Sequence, residues 1–246
     1  MNRYIIAACF FIPAPAMADI VFHPGGSGTV TFQSGGSGTV VFETTPTVTS
    51  CSGFISSDTF TEGGAGDILL NTHTSDSGDA WLDSIVGGVN VVHLDTSNDV
   101  VKSTVTSPTS VAYVDETLCS ANYYVQATGQ TGSTGSNRYG VVFHHDPATD
   151  NGYDCRVTGG GAIELRRSDA GTTVVIGSTT VGAILGSFTV STFYTLKVVT
   201  ASNVHSVYIN DTIALVRGDS TYPDAYKAGI LVSGTAPRTT SFEAGY

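Results

Sequence analysis

From Phe54 onward, short runs of β-branched and aromatic residues alternate with Gly, Asp, Asn and Ser. That pattern predicts strands over Ile85–Leu94, Ala121–Thr128, Tyr139–His145, Gly152–Thr158, Ala162–Arg167, Thr172–Ile176, Tyr194–Thr200, Val204–Ile209, Ile213–Arg217 and Ala228–Val232. Asn151-Gly152 carries the signature of a type I′ turn, and Gly159-Gly160-Gly161 and Asn210-Asp211 mark two further reversals. No stretch after the first eighteen residues sustains a helical period. Many short strands with regular turn signals make an all-β fold, an antiparallel sandwich or barrel, placed at residues 52–246.

The N-terminal pattern is different. Met1–Ala18 combines Arg3, an apolar run from Tyr4 to Ile12 and the small-residue ending Ala16-Met17-Ala18. Two readings stand: a secretory signal peptide cleaved before Asp19, or an apolar N-terminal arm. The run is too short to span a bilayer. Residues 19–51 then form a Gly-rich β-repeat and linker, in which GGSGTV occurs twice and Phe22, Phe32 and Phe42 recur every ten residues. Two hairpin-like units bury no core of their own, so these phenylalanines are expected to dock the arm on another surface.

Composition narrows the class. The chain carries 10 Lys and Arg against 21 Asp and Glu, a net charge of −11. So few basic residues argue against a nucleic-acid partner, whose phosphates need a cationic surface. Only 13% of residues are charged, too few for the solvated faces of a helical bundle. Ordinary hydrophobic content argues against disorder. The four cysteines, Cys9, Cys51, Cys119 and Cys155, match no zinc spacing; a Cys119–Cys155 bridge and buried free thiols both remain open.

Asp58, Phe60, Leu70, His73, Thr74, Asp76, Gly78 and Trp81 form a D-x-F opening followed by an L…H-T-x-D-x-G-x-x-W pattern. This resembles the start of a concanavalin A-like (laminin G-like) jelly roll. Tyr139–Phe143, Phe193–Val198, Val207–Asp211, Ala228–Ile230 and Thr240–Ala244 are similar to its later strands. The resemblance implies a two-sheet jelly-roll sandwich, with His73 tying down a loop and Trp81 in the core. It says little about function. Proteins of this type occur among bacterial surface proteins and tailed-phage virion proteins.

Candidate chemistry is sparse. Glycanases on this fold carry E-x-D-x-x-E along one strand, which sets alternate carboxylates around one glycosidic bond; the motif is absent, and Glu164 is the only Glu between Glu116 and Glu243. No catalytic residue is assigned. Asp146, Asp150 and Asp154 gather oxygen ligands on one loop, a calcium-type set with no EF-hand spacing, against the plainer reading of turn-shaping residues. No other cofactor is indicated. Neighbouring His144 and His145 should point to opposite faces of their strand, as should Arg166 and Arg167. For a glycan or partner contact the aromatic and planar polar supply is Tyr123, Tyr124, His144, Tyr153, Arg156 and Arg166.

Two functional classes follow. The first is a non-catalytic structural or adhesion protein on a virion or cell surface, which the N-terminal arm anchors to other virion or surface proteins and joins into a homo-oligomer. The second is a secreted, lectin-like carbohydrate-binding protein. The first is the primary expectation.

Overall fold

The computed structural model describes residues 54–61, 66–84, 92–103, 110–116, 118, 120–133, 135–223 and 227–246. All lie in one unit, Cys51–Tyr246. The arm phenylalanines Phe22, Phe32 and Phe42, with Cys9, Cys51 and Cys119, lie outside the described residues.

The strands are β1 (Phe54–Asp58), β2 (Asp67–Leu69), β3 (Trp81–Ser84), β4 (Val92–Asp95), β5 (Val100–Ser103), β6 (Ser110–Val114), β7 (Tyr123–Gln130) and β8 (Arg138–Asp146). They continue as β9 (Asn151–Thr158), β10 (Ala162–Asp169), β11 (Thr172–Thr180), β12 (Tyr194–Ala201), β13 (Val204–Ile209), β14 (Thr212–Gly218), β15 (Lys227–Ser233) and β16 (Arg238–Gly245). A 3-10 turn at Leu70–Thr72 and one short helix, α1 (Val181–Leu185), are the only helical pieces among the described residues.

The strands form two antiparallel sheets. One has nine strands in the order β14-β13-β12-β7-β16-β5-β4-β2, with β1 also paired to β16; the other has seven, β11-β10-β9-β8-β15-β6-β3. The alternation read from sequence builds the layer between them. In β7, Tyr123, Val125 and Ala127 face inward while Tyr124, Gln126 and Thr128 face out. Tyr139, Phe143, Tyr153, Leu165, Leu196, Ile209 and Phe242 fill the interior. This is the expected jelly-roll sandwich.

The D-x-F…H…W residues form a buried knot. Asp58 Oδ2 accepts from Trp81 Nε1 at 2.7 Å and pairs with His73 Nε2 at 2.8 Å, while Oδ1 accepts from the Phe60 amide at 2.7 Å. Phe60, at φ 53°, packs its ring 5.6 Å from that of Trp81. Asp76 accepts from the amide and hydroxyl of Thr59. His73 therefore ties down the loop and Trp81 belongs to the core, as the motif implies.

One local expectation needs correction. The hairpin after β8 turns at Pro147–Asp150, not at Asn151-Gly152, which open β9. A bulge at His144 and His145 adds a residue between the pairs Phe143–Tyr153 and Asp146–Asn151, so the tight two-residue turn no longer fits the register. Of the strand expected over Ile85–Leu94, residues 85–91 lie outside the described residues and the rest belongs to β4. Helix α1 has no periodic signal. It is held locally, by the Ala183 amide donating to Thr180 Oγ1 at 3.1 Å and by Gly186 at φ 82° beyond its end. Cys155 is a buried free thiol, and Cys119 lies outside the described residues.

Candidate functional site

The outer face of the seven-stranded sheet gathers a group of paired charged side chains. On β9, Tyr153, Cys155 and Val157 point to the core, leaving Asp154 and Arg156 on the outer face. On β10, Ile163 and Leu165 point inward and Glu164 and Arg166 outward. The register sets Arg166 beside Asp154 and Glu164 beside Arg156. Arg166 forks onto both Asp154 oxygens at 2.9 and 2.8 Å, and Arg156 binds Glu164 Oε2 through Nε and Nη2 at 2.8 and 2.6 Å. Two cross-strand ion pairs of opposite order thus stand side by side, with geometry that fixes each guanidinium.

Next to this ladder the face becomes apolar. Val142 on β8, Leu231 on β15, and Val111 and Tyr113 on β6 form a small hydrophobic cluster separate from the main core. Glycine makes this part of the face possible. A Cβ on Gly140 would lie 2.2 Å from the Cys155 carbonyl oxygen, and one on Gly229 would lie 2.0 Å from that of Ala112, so neighbouring backbones close over positions where any side chain would intrude.

Between ladder and apolar patch is a cleft of about 230 Å³. Val111, Val142 and Leu231 line it together with Asp154, Arg166, His145, Asp150, Ser168 and Thr173. His145 is delivered by the bulge and is only 4% exposed, yet its Nε2 has no hydrogen-bond partner. Burial lowers its pKa, against the pull of Asp150 and Asp146, so the imidazole is held toward its neutral form. Its ring lies 6.0 Å from that of Tyr113.

The six residues assembled from sequence as a contact set do not share one surface. Arg156 and Arg166 stand together on the outer face just described. Tyr124 lies on the outer face of the nine-stranded sheet, bonded to Glu243 with Lys197 Nζ 4.4 Å above its ring. Tyr123, His144 and Tyr153 are interior, each no more than 3% exposed. The His144 amide donates to Tyr123 Oη at 2.7 Å, His144 Nε2 pairs with Thr200 Oγ1 at 3.1 Å, and Tyr153 stacks on Phe143 at 5.5 Å. His144 and His145 point to opposite faces, set by the bulge, since Phe143 and His144 both face inward; Arg166 and Arg167 are opposed as the strand period requires, Arg167 turning to Asp169 and Asp219.

His205 completes the interior cluster, 4.6 Å from the Tyr153 ring, with neither ring nitrogen hydrogen-bonded. Burial, helped by His144, pushes its pKa down to about 4. The aspartates proposed for calcium do not converge. Asp154 is taken by Arg166, and Asp146 caps its own turn through the Ala148 amide and Thr149 hydroxyl. Among the described residues no three His, Cys, Asp or Glu side chains are grouped to hold a metal ion.

Sequence reasoning missed His145, Val142, Leu231 and Ser168. The signal for the first was present, since one of two adjacent histidines had to face outward, but nothing local shows which.

No family model and no curated protein matches the chain. Solved structures do. A carbohydrate-binding module, CBM66 from Bacillus subtilis, superposes with a TM-score of 0.52 at 15% identity, over 75% of this chain and 98% of that one. A Bacillus licheniformis β-glucanase gives 0.52 at 11%, over 75% and 100%. The calcium-bound exoplasmic/lumenal domain of VIP36 gives 0.50 at 10%, over 72% and 88%. At these identities the likeness is one of fold, and together with the two-sheet topology it establishes that the chain is a concanavalin A-like jelly-roll sandwich.

Proposed function

We propose that this protein is a non-catalytic, lectin-like binder that holds a glycan in the outer-face cleft of its seven-stranded sheet. One observation carries the reading: Val111, Val142 and Leu231 line one small cleft together with a fixed Asp154–Arg166 pair and buried His145. A sugar ring offers an apolar C–H face and a rim of hydroxyls, and such a cleft satisfies both. The volume suits something on the order of a single sugar residue rather than the larger ligands of most small-molecule pockets. The names of the fold's neighbours, a carbohydrate-binding module among them, support the same reading.

Hydrolysis fits less well. Glycoside cleavage needs two carboxylates facing one bond. Asp154 shares the cleft with Asp150 but spends both oxygens on Arg166, and Glu164 is bound by Arg156. The virion-scaffold expectation rests on arm residues outside the described ones, whereas the surface of the sandwich itself favours a binder. Among the described residues no helix is long and apolar enough to cross a membrane. An extracellular or surface location accords with a glycan ligand.

A glycan array probed with the full chain tests the proposal. At least one saccharide should be retained, and Thr173→Trp, which crowds the cleft from an exposed position, should abolish retention without lowering thermal stability. An array with no binder, or one on which Thr173→Trp binds as well as the parent, contradicts the proposal.

A further inference from the structure

Three formally charged side chains line the cleft: Asp150, Asp154 and Arg166. Arg166 is already engaged. Its Nε and Nη2 bond Asp154 Oδ1 and Oδ2 at 2.9 and 2.8 Å, so that pair cancels within itself. Asp150 has no such partner: among the described residues neither a hydrogen bond nor an ion pair reaches its carboxylate. Its Oδ2 stands 3.5 Å from where a Cβ on Gly171 would be, and Gly171 is itself part of the cleft wall.

The charges around the cleft do not offset Asp150. Lys227, opposite His145 on β15, bonds Asp115 at 2.9 Å. Arg156 is bound to Glu164, and Arg138 stands at the other end of β8. Asp146 adds a second carboxylate at the same turn, close enough to act with Asp150 on His145. His145 brings no compensating charge at neutral pH, because burial holds its imidazole toward the neutral form. The cleft is therefore left with negative charge in excess.

We propose that the cleft selects its saccharide by charge, taking units that are neutral or carry a free amino group and refusing units that carry a carboxylate or sulfate. This selection rests on the glycan reading and adds to it the class of sugar. A ligand carboxylate beside Arg166 would stand against Asp154 and compete for a guanidinium whose charge is already met. Displacing Asp154, only 6% exposed, would leave a buried carboxylate without its partner. Asp150 repels the same ligand group. An ammonium reverses the sign and meets Asp150, while the hydroxyls of Ser168 and Thr173 suit a neutral sugar. At longer range the net charge of −11 acts in the same direction, where salt screens it.

Weak-affinity chromatography of the full chain tests this with glucose, galactose and mannose. Each is immobilised at its anomeric position as the plain hexose, the 2-amino-2-deoxy sugar, the hexuronic acid and the 6-sulfate. In a configuration that is retained, at neutral pH and low salt, the amino form should be held at least as tightly as the hexose. The two acidic forms should be held about tenfold more weakly or worse, and added salt should narrow the gap. Asp150→Asn should shrink the ratio of amino to acidic retention by about threefold or more. Asp211→Asn, which removes the same charge from the turn between β13 and β14, should leave that ratio in place. Acidic sugars held as well as the plain ones, or amino sugars held less well, overturn the selection and leave the glycan reading standing. A ratio that Asp150→Asn does not move, or that Asp211→Asn moves equally, overturns its assignment to the cleft. Retention of no sugar in any form overturns both the selection and the glycan reading.

Discussion

Asp58 shows how much structure one carboxylate can hold. It accepts from the Phe60 amide and Trp81 indole and pairs with His73, all out of water. Asp58→Ala leaves the Trp81 N–H and the His73 ring short of a partner, and should lower unfolding free energy by ~3 kcal/mol in urea titration. His205 gives the molecule a pH signature. Its pKa falls from 6.5 to about 4 on folding, so the unfolded chain binds the extra proton in that window. Stability is full above 6.5 and is lost as pH falls toward 4, by up to ~3 kcal/mol. Denaturation curves taken across that range should show the loss, and His205→Phe should flatten it. The D-x-F…H…W knot was legible in sequence because its residues are close in the chain. The interior placement of Tyr123, His144 and Tyr153 was not, because strand alternation gives two faces without saying which is covered.

The elements were read well where the period was regular and poorly where a bulge reset it. Strands β7, β9, β12 and β13 fall within a residue or two of their expected ranges, since alternation runs through them uninterrupted. At β8 the extra residue at His144 displaced the predicted turn, and it also brought His145 into the cleft. The Asn210-Asp211 reversal survived because both residues take positive φ, 45° and 61°, and the Asn210 carbonyl side chain accepts from the Thr195 amide at 2.8 Å. Asp211→Gly removes the strain at the second position and should raise stability by about 0.5–1 kcal/mol in the same titration. The glycines that let strands close over the outer face behave oppositely. Gly229→Ala puts a methyl group into the Ala112 carbonyl and should cost about 2 kcal/mol or more, read as a lower melting temperature.

For the molecule as a whole, sequence conveys the architecture far better than the purpose. Sheet order, crossovers and the pairing of β9 with β10 decide that Asp154, Arg166, Val142 and Leu231 share a cleft, and these are long-range facts that no local pattern holds. The acidic charge and missing glycanase motif point toward few partners and little chemistry, and the first expectation looked to the arm, whereas the proposed binding surface lies on the sandwich. That surface can be tested directly by heteronuclear NMR titration of the full chain with the saccharide best retained on an array. Shifts should cluster on the outer face of β8, β9, β10 and β15, led by His145, Asp154 and Leu231. Shifts centred on the nine-stranded sheet around Tyr124 and Glu243, or none at saturating saccharide, would contradict the assignment.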